Sequence, residues 1–158
     1  MKKSLLLCSV AACAVVLVSG SSALAKDNWV GTWKLDLAKS KYTAGAAPQS
    51  QTLKFEATPD GIKLTATGVD AEGKPMDSGY TSKWDGREVP WTGNPNADTA
   101  APKRIDANRY RNVWKKDGKA TVTAKVAVSR DGKTLTITQT GKDAQGKAVN
   151  NVAVYDRQ

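Results

Sequence analysis

The sequence predicts an all-β protein: a single antiparallel up-and-down β-barrel of nine or ten strands. Three observations predict it. Short segments alternate apolar and polar residues with a period of two, the signature of strands with one buried face. Glycine turns separate these segments at near-regular intervals, through Gly61, Gly73 and Gly86 and again through Gly118, Gly132 and Gly146. Valine and threonine are abundant, and no helical period appears after the first 25 residues. A meander of this kind removes its exposed edges by closing on itself.

The first residues stand apart from that pattern. Lys2 and Lys3 precede an apolar run from Leu5 to Val18, and small residues follow, ending in Ala23-Leu24-Ala25. A charged start, an apolar middle and an A-x-A site describe an export signal, so residues 1–25 are expected to be removed. The run is shorter than the roughly 20 apolar residues of a membrane span. A competing arrangement exists: Val10-Ala11-Ala12-Cys13 resembles a lipobox, which would place a lipid on Cys13. The apolar run continues past Cys13, which favours cleavage after Ala25. Residues 26–158 then form one domain without cysteine or histidine, held by burial alone. The full chain carries +9, and +7 without Lys2 and Lys3. Its basic residues are scattered rather than run together, as on an ordinary solvated surface.

The elements follow in order. The opening stretch alternates Trp29, Gly31, Trp33, Leu35 and Leu37 against Val30, Thr32, Lys34 and Asp36. Trp33 is expected to point inward and plug one barrel end, with Gly31 letting the backbone bend beside it. A loop over 38–50 follows. Leu53, Phe55 and Ala57 share one face of the next strand, and Ile62, Leu64 and Ala66 share one face of the third. Pro59-Asp60-Gly61 is the turn between them. After a turn at 71–74, Tyr80, Ser82 and Trp84 alternate with Thr81 and Lys83. Residues 92–102 are rich in Pro, Asn and Ala and read as a loop. Trp91, at its edge, either gates the barrel mouth or packs on the rim. Tyr110, Asn112 and Trp114 then alternate with Arg109, Arg111 and Val113. The aromatic phase is expected to face inward, because burying unpaired guanidinium groups is costly. In 120–129, Val122, Ala124, Val126 and Val128 alternate with polar or small residues; in 134–140, Leu135 and Ile137 alternate with threonines. Val152, Val154 and Tyr155 belong to the closing strand.

Gly31-Thr32-Trp33 resembles the G-x-W opening of the lipocalin, avidin and fatty-acid-binding families, the calycins. The end, Val152-Ala153-Val154-Tyr155-Asp156-Arg157, resembles the last strand of fatty-acid-binding proteins, and the whole is similar to small exported bacterial lipocalin-like proteins. The resemblance implies a lipocalin-like barrel. Fatty-acid-binding proteins hold the ligand carboxylate with an arginine two residues before the final-strand tyrosine; Ala153 stands there, with Tyr155 kept. The two lid helices of that family have no counterpart in the short 38–50 segment. The helix that lipocalins add after the barrel has none either, since Gln158 follows the last strand directly. The family's ligand therefore does not transfer.

The residue types argue against an enzyme. Residues 26–158 carry neither His nor Cys, so they offer no Ser-His or Cys-His pair and no histidine ligand for haem. Asp60, Asp85, Asp117 and Asp131 sit beside turn glycines, and Asp98 and Asp106 in or near other turns, so no metal site is expected. No Gly-rich phosphate loop is found, and no cofactor is implied. Two facing rows remain, Tyr80 with Trp84 and Tyr110 with Asn112 and Trp114. They suit an apolar site with a few orienting polar atoms, or they fill a packed interior. The expectation is an exported, periplasmic or secreted protein that binds a small apolar or amphipathic ligand through Tyr80, Trp84, Tyr110, Asn112 and Trp114. It is expected to engage neither nucleic acid nor, by stable insertion, a membrane. The rival is an interaction module of the cell envelope with a solid barrel; the volume of the interior separates the two. An oligonucleotide-binding barrel would be a Greek key rather than a meander.

Overall fold

The computed structural model describes residues 27–43, 47–143 and 145–158. The expected leader, the Ala25 cleavage site and the lipobox at Cys13 lie outside the described residues. Ten strands form: β1 (Gly31–Lys41), β2 (Ser50–Thr58), β3 (Gly61–Val69), β4 (Pro75–Ser82), β5 (Val89–Pro90), β6 (Thr99–Arg104), β7 (Arg109–Lys116), β8 (Lys119–Val128), β9 (Thr134–Lys142) and β10 (Ala148–Arg157). No helix occurs among the described residues. All pairings are antiparallel, in the order β4-β3-β2-β1-β10-β9-β8-β7-β6-β5. This is the expected up-and-down barrel.

Short turns set the register. Thr58 pairs with Gly61 across the two residues Pro59 and Asp60. Lys116 pairs with Lys119 across Asp117 and Gly118, both at positive φ (50° and 72°), the backbone that matches strand twist in a two-residue hairpin. Asp131 and Asp143 accept backbone N–H bonds from Lys133 and from Gln145 and Lys147, which fixes their turns locally.

The seam of the barrel does not lie where the chain ends meet. β1 pairs with β10, and the sheet edges that face each other are β4 and β5. Few bonds join them. Gly79 and Thr92 exchange two backbone hydrogen bonds of 3.1 Å; farther along, Arg104 N–H donates to the Trp84 carbonyl and Gly86 N–H to that of Pro102. At this seam Gly93 has φ +73°, and a Cβ there would lie 2.0 Å from the Asp77 carbonyl. Only glycine lets the 91–98 loop approach β4 so closely.

Three sequence expectations change. The loop expected over 92–102 ends at residue 98, and Pro102 lies fully buried within β6. Proline is tolerated there because its carbonyl turns away from β7 toward Gly86, so the ladder to β7 loses no donor. The loop expected over 38–50 loses both its ends to strands, since β1 runs through Lys41 and β2 begins at Ser50. Leu37 and Ala57, placed with the inward residues, are exposed. For Leu37 the cause is a bulge between Asp36 and Lys41, where the β1–β10 register shifts. Asp36 accepts the N–H groups of Ala38 and Lys39, and Ser40 Oγ donates to the Asp36 carbonyl, so the extra residues loop outward. Ala57 sits at the end of its strand beside the turn, beyond the core.

Candidate functional site

Alternation sends every second side chain to the interior, which divides into two halves. The half nearest the 59–60 and 129–133 turns is solid. Trp29 and Trp33 are completely buried there, with Phe55, Val128 and Leu135 around them. Trp33 Nε1 donates to the Trp29 carbonyl at 3.1 Å, and Trp29 Nε1 to that of Ala107 at 2.9 Å. The Arg157 guanidinium lies 4.1 Å from the centroid of the Trp33 ring and donates to the carbonyls of Val30, Asn28 and Gly132. Gly31 gives it room: a Cβ there would lie 2.5 Å from Arg157 Nη1. The opening tryptophan pair and the last arginine therefore close one end together.

The other half, toward the 70–74 and 91–98 connections, is not filled. It contains a cavity of about 540 Å³, within the usual range of small-molecule sites. Side-chain size explains the difference. Inward positions of β3, β8 and β10 include Ala66, Ala124 and Ala153 where the cavity lies, against tryptophan, phenylalanine and leucine in the closed half.

Of the residues expected to form a site, Tyr80 on β4 and Tyr110, Asn112 and Trp114 on β7 line this cavity. Asn112 Oδ1 accepts the Ala101 N–H at 3.1 Å, and its Nδ2 faces the Tyr80 hydroxyl at 3.4 Å. Arg109 and Arg111 face outward and are exposed, and Arg109 pairs with Asp106 at 2.6 Å. Trp84 does not join the others. It lies past the end of β4 with φ +62°, unusual for a bulky residue. Its ring packs edge-on against Tyr110 at 4.7 Å and tilted against Trp29 at 5.6 Å, in the closed end. Arg104, bonded to Asp27, covers it at 5.7 Å. The alternation that placed Trp84 with Tyr80 stops where the backbone leaves the strand.

Further residues complete the wall. Trp91 is buried at the mouth, edge-to-face with Tyr80 at 5.2 Å and with Trp114 at 5.0 Å. The indole N–H groups of Trp91 and Trp114 are buried without a hydrogen-bond acceptor among the described residues. Tyr155 on β10 donates to Gln51 Oε1 on β2 at 2.6 Å, and Gln139 on β9 lies nearby. Gln51 and Gln139 carry no local signal as site residues. The three inward alanines do: small residues at strand positions that point inside mark where an interior stays empty.

Burial governs the chemistry. It pushes the phenols of Tyr80, Tyr110 and Tyr155 well above their ordinary value, and that of Tyr42 up to about 12. These groups are neutral hydrogen-bonding groups at physiological pH. No cluster of three His, Cys, Asp or Glu side chains able to hold a metal occurs among the described residues.

No protein-family model matches the sequence, and no curated protein matches it. Solved structures do. The chain is similar to the fatty-acid-binding protein of Schistosoma mansoni, solved with arachidonic acid, with TM-score 0.53 and 16% identity over 83% of this chain and 96% of that one. It is also similar to the zebrafish ileal bile-acid-binding protein in complex with cholic acid, with TM-score 0.48 and 11% identity over 83% of this chain and 99% of that one. At such identity the first likeness establishes the fold alone, an antiparallel up-and-down β-barrel.

Proposed function

We propose that this protein is an exported binding protein that holds a small apolar or amphipathic molecule inside its barrel, contacted by Tyr80, Trp91, Tyr110, Asn112 and Trp114. The carrying observation is the cavity of about 540 Å³ beside a half of the barrel that is packed solid. A fold stabilised by burial alone gains from filling its interior. Here alanines leave space, and a small polar group, Asn112, sits among aromatic rings within it. The similar fatty-acid-binding protein, solved with arachidonic acid, supports the same use of the barrel. So does the missing catalytic chemistry, since the sequence contains no histidine. The rival, an envelope module with a packed barrel, needs an interior without this space. Export rests on residues 1–25, whose charged start, apolar run and Ala23-Leu24-Ala25 site have the form of a signal.

Native mass spectrometry of the protein purified from its own cell envelope tests the reading. The expected result is a reproducible adduct that organic extraction removes and that competes with an apolar fluorescent probe. Protein without an adduct, and without saturable binding of any apolar probe, overturns it in favour of the envelope module.

A further inference from the structure

Among the described residues, no cation lines the cavity. The chain has 24 Lys and Arg residues, yet no lysine or arginine is among the described residues that line the space. The nearby guanidinium groups are committed elsewhere. Arg109 and Arg111 point to solvent, Arg104 binds Asp27, and Arg157 is held by three carbonyls in the closed end. The titratable groups that do face the cavity, from every element around it, are the phenols of Tyr42, Tyr80, Tyr110 and Tyr155 and three carboxyl groups at the rim, Asp70, Glu72 and Asp77. The remaining polar wall is uncharged: the carboxamides of Gln51, Asn112 and Gln139 with Asn94 and Asn96, the Ser78 hydroxyl, and the indoles of Trp91 and Trp114.

We propose that the cavity selects an uncharged amphiphile, such as an alcohol, ester or amide with a long apolar body, and discriminates against carboxylates. The inference rests on the binding reading above and deepens it. The apolar body would lie along Leu53, Leu64, Val126 and Ile137, all of which face the space. A hydroxyl or carbonyl head finds neutral donors and acceptors in Asn112 and in the Tyr155–Gln51 pair. An ionised carboxylate finds no cation to offset its desolvation, so it enters only as the neutral acid. The acidic rim opposes an anion on its way in. Burial keeps the wall phenols neutral across the working pH range, so they add no charge of their own.

The experiment compares 1-dodecanol with dodecanoic acid, equal in chain length, by quenching of tryptophan fluorescence in the purified protein between pH 5.5 and pH 7.5. The alcohol is expected to bind at about the same strength throughout. The acid is expected to bind roughly 100-fold or more weakly at pH 7.5 and to gain about tenfold for each unit that the pH falls, because only its protonated form binds. The Gln139→Lys variant, which adds an ammonium group to the wall, should raise the ratio of dodecanoate to dodecanol affinity about tenfold at pH 7.5. Dodecanoate binding as tightly as dodecanol at pH 7.5 overturns the proposed selectivity while leaving the barrel a carrier. Failure of both probes to bind at any pH overturns the carrier reading itself. No rise in that ratio in a folded Gln139→Lys protein overturns the placement of the head group in this cavity.

Discussion

Replacing Trp33 with alanine should cost about 5 kcal/mol of folding stability. Trp33 is completely buried, and emptying a large aromatic site costs about 3–5 kcal/mol. Two further contacts go with it. The Arg157 guanidinium, 4.1 Å from the ring centroid, loses a cation–π interaction of about 0.5–1 kcal/mol. The Trp29 carbonyl loses the Trp33 N–H donor at 3.1 Å, about another 1 kcal/mol. These losses overlap, which places the total at the upper end of the aromatic range. Ordinary domains have about 5–15 kcal/mol in all, so a loss of this size removes between roughly a third and the whole of the stability. Urea titration with linear extrapolation measures the difference. Trp33→Phe keeps a ring but removes the N–H, so it should cost about 1–2 kcal/mol and separate the hydrogen bond from the packing. Trp33 does not line the cavity, so the folded fraction of either variant should bind an apolar probe as the parent does. A loss below about 1 kcal/mol for Trp33→Ala would refute the plug.

The exported form should begin at Lys26, which N-terminal sequencing decides; a start at a lipid-bearing Cys13 would refute it. The double variant Arg109→Ala with Arg111→Ala should lose less than about 1 kcal/mol by urea titration, since both side chains are exposed and the Arg109–Asp106 pair is solvated. Trp114→Ala, by contrast, should weaken binding of an apolar probe by about tenfold or more, because its ring forms part of the cavity wall. All four tyrosines have raised folded-state values, so the folded protein holds more protons than the unfolded chain above pH 10. Stability should be unaffected by these groups below pH 10 and fall as the pH rises toward 12 and beyond. Absorbance at about 295 nm should show almost no phenolate until the protein unfolds cooperatively; phenolate forming near pH 10 in folded protein would refute their burial.

The barrel was legible in the sequence because strand alternation and turn chemistry are local properties. Leu53 with Phe55, Ile62 with Leu64, and Val122 through Val128 face inward as their period demands. The orientation of β7 was legible for an energetic reason: Tyr110 and Asn112 are inexpensive to bury and Arg109 and Arg111 are not. Local reading failed where the backbone departs from the regular strand. The bulge after Asp36 turns Leu37 outward, and the positive φ of Trp84 moves it from the cavity row to the closed end. Pro102 read as a loop residue because the neighbour that accommodates it, Gly86, is supplied from across the barrel seam. Tyr155 and Gln51 meet across 104 residues of chain, with nothing near either to announce the pairing. The cavity is the extreme case. Each strand alone specifies which side chains point inward, and that much the sequence determined. Whether those side chains fill the space is a sum over all ten strands, set by how far the closed sheet holds its walls apart, and only the tertiary structure decided it.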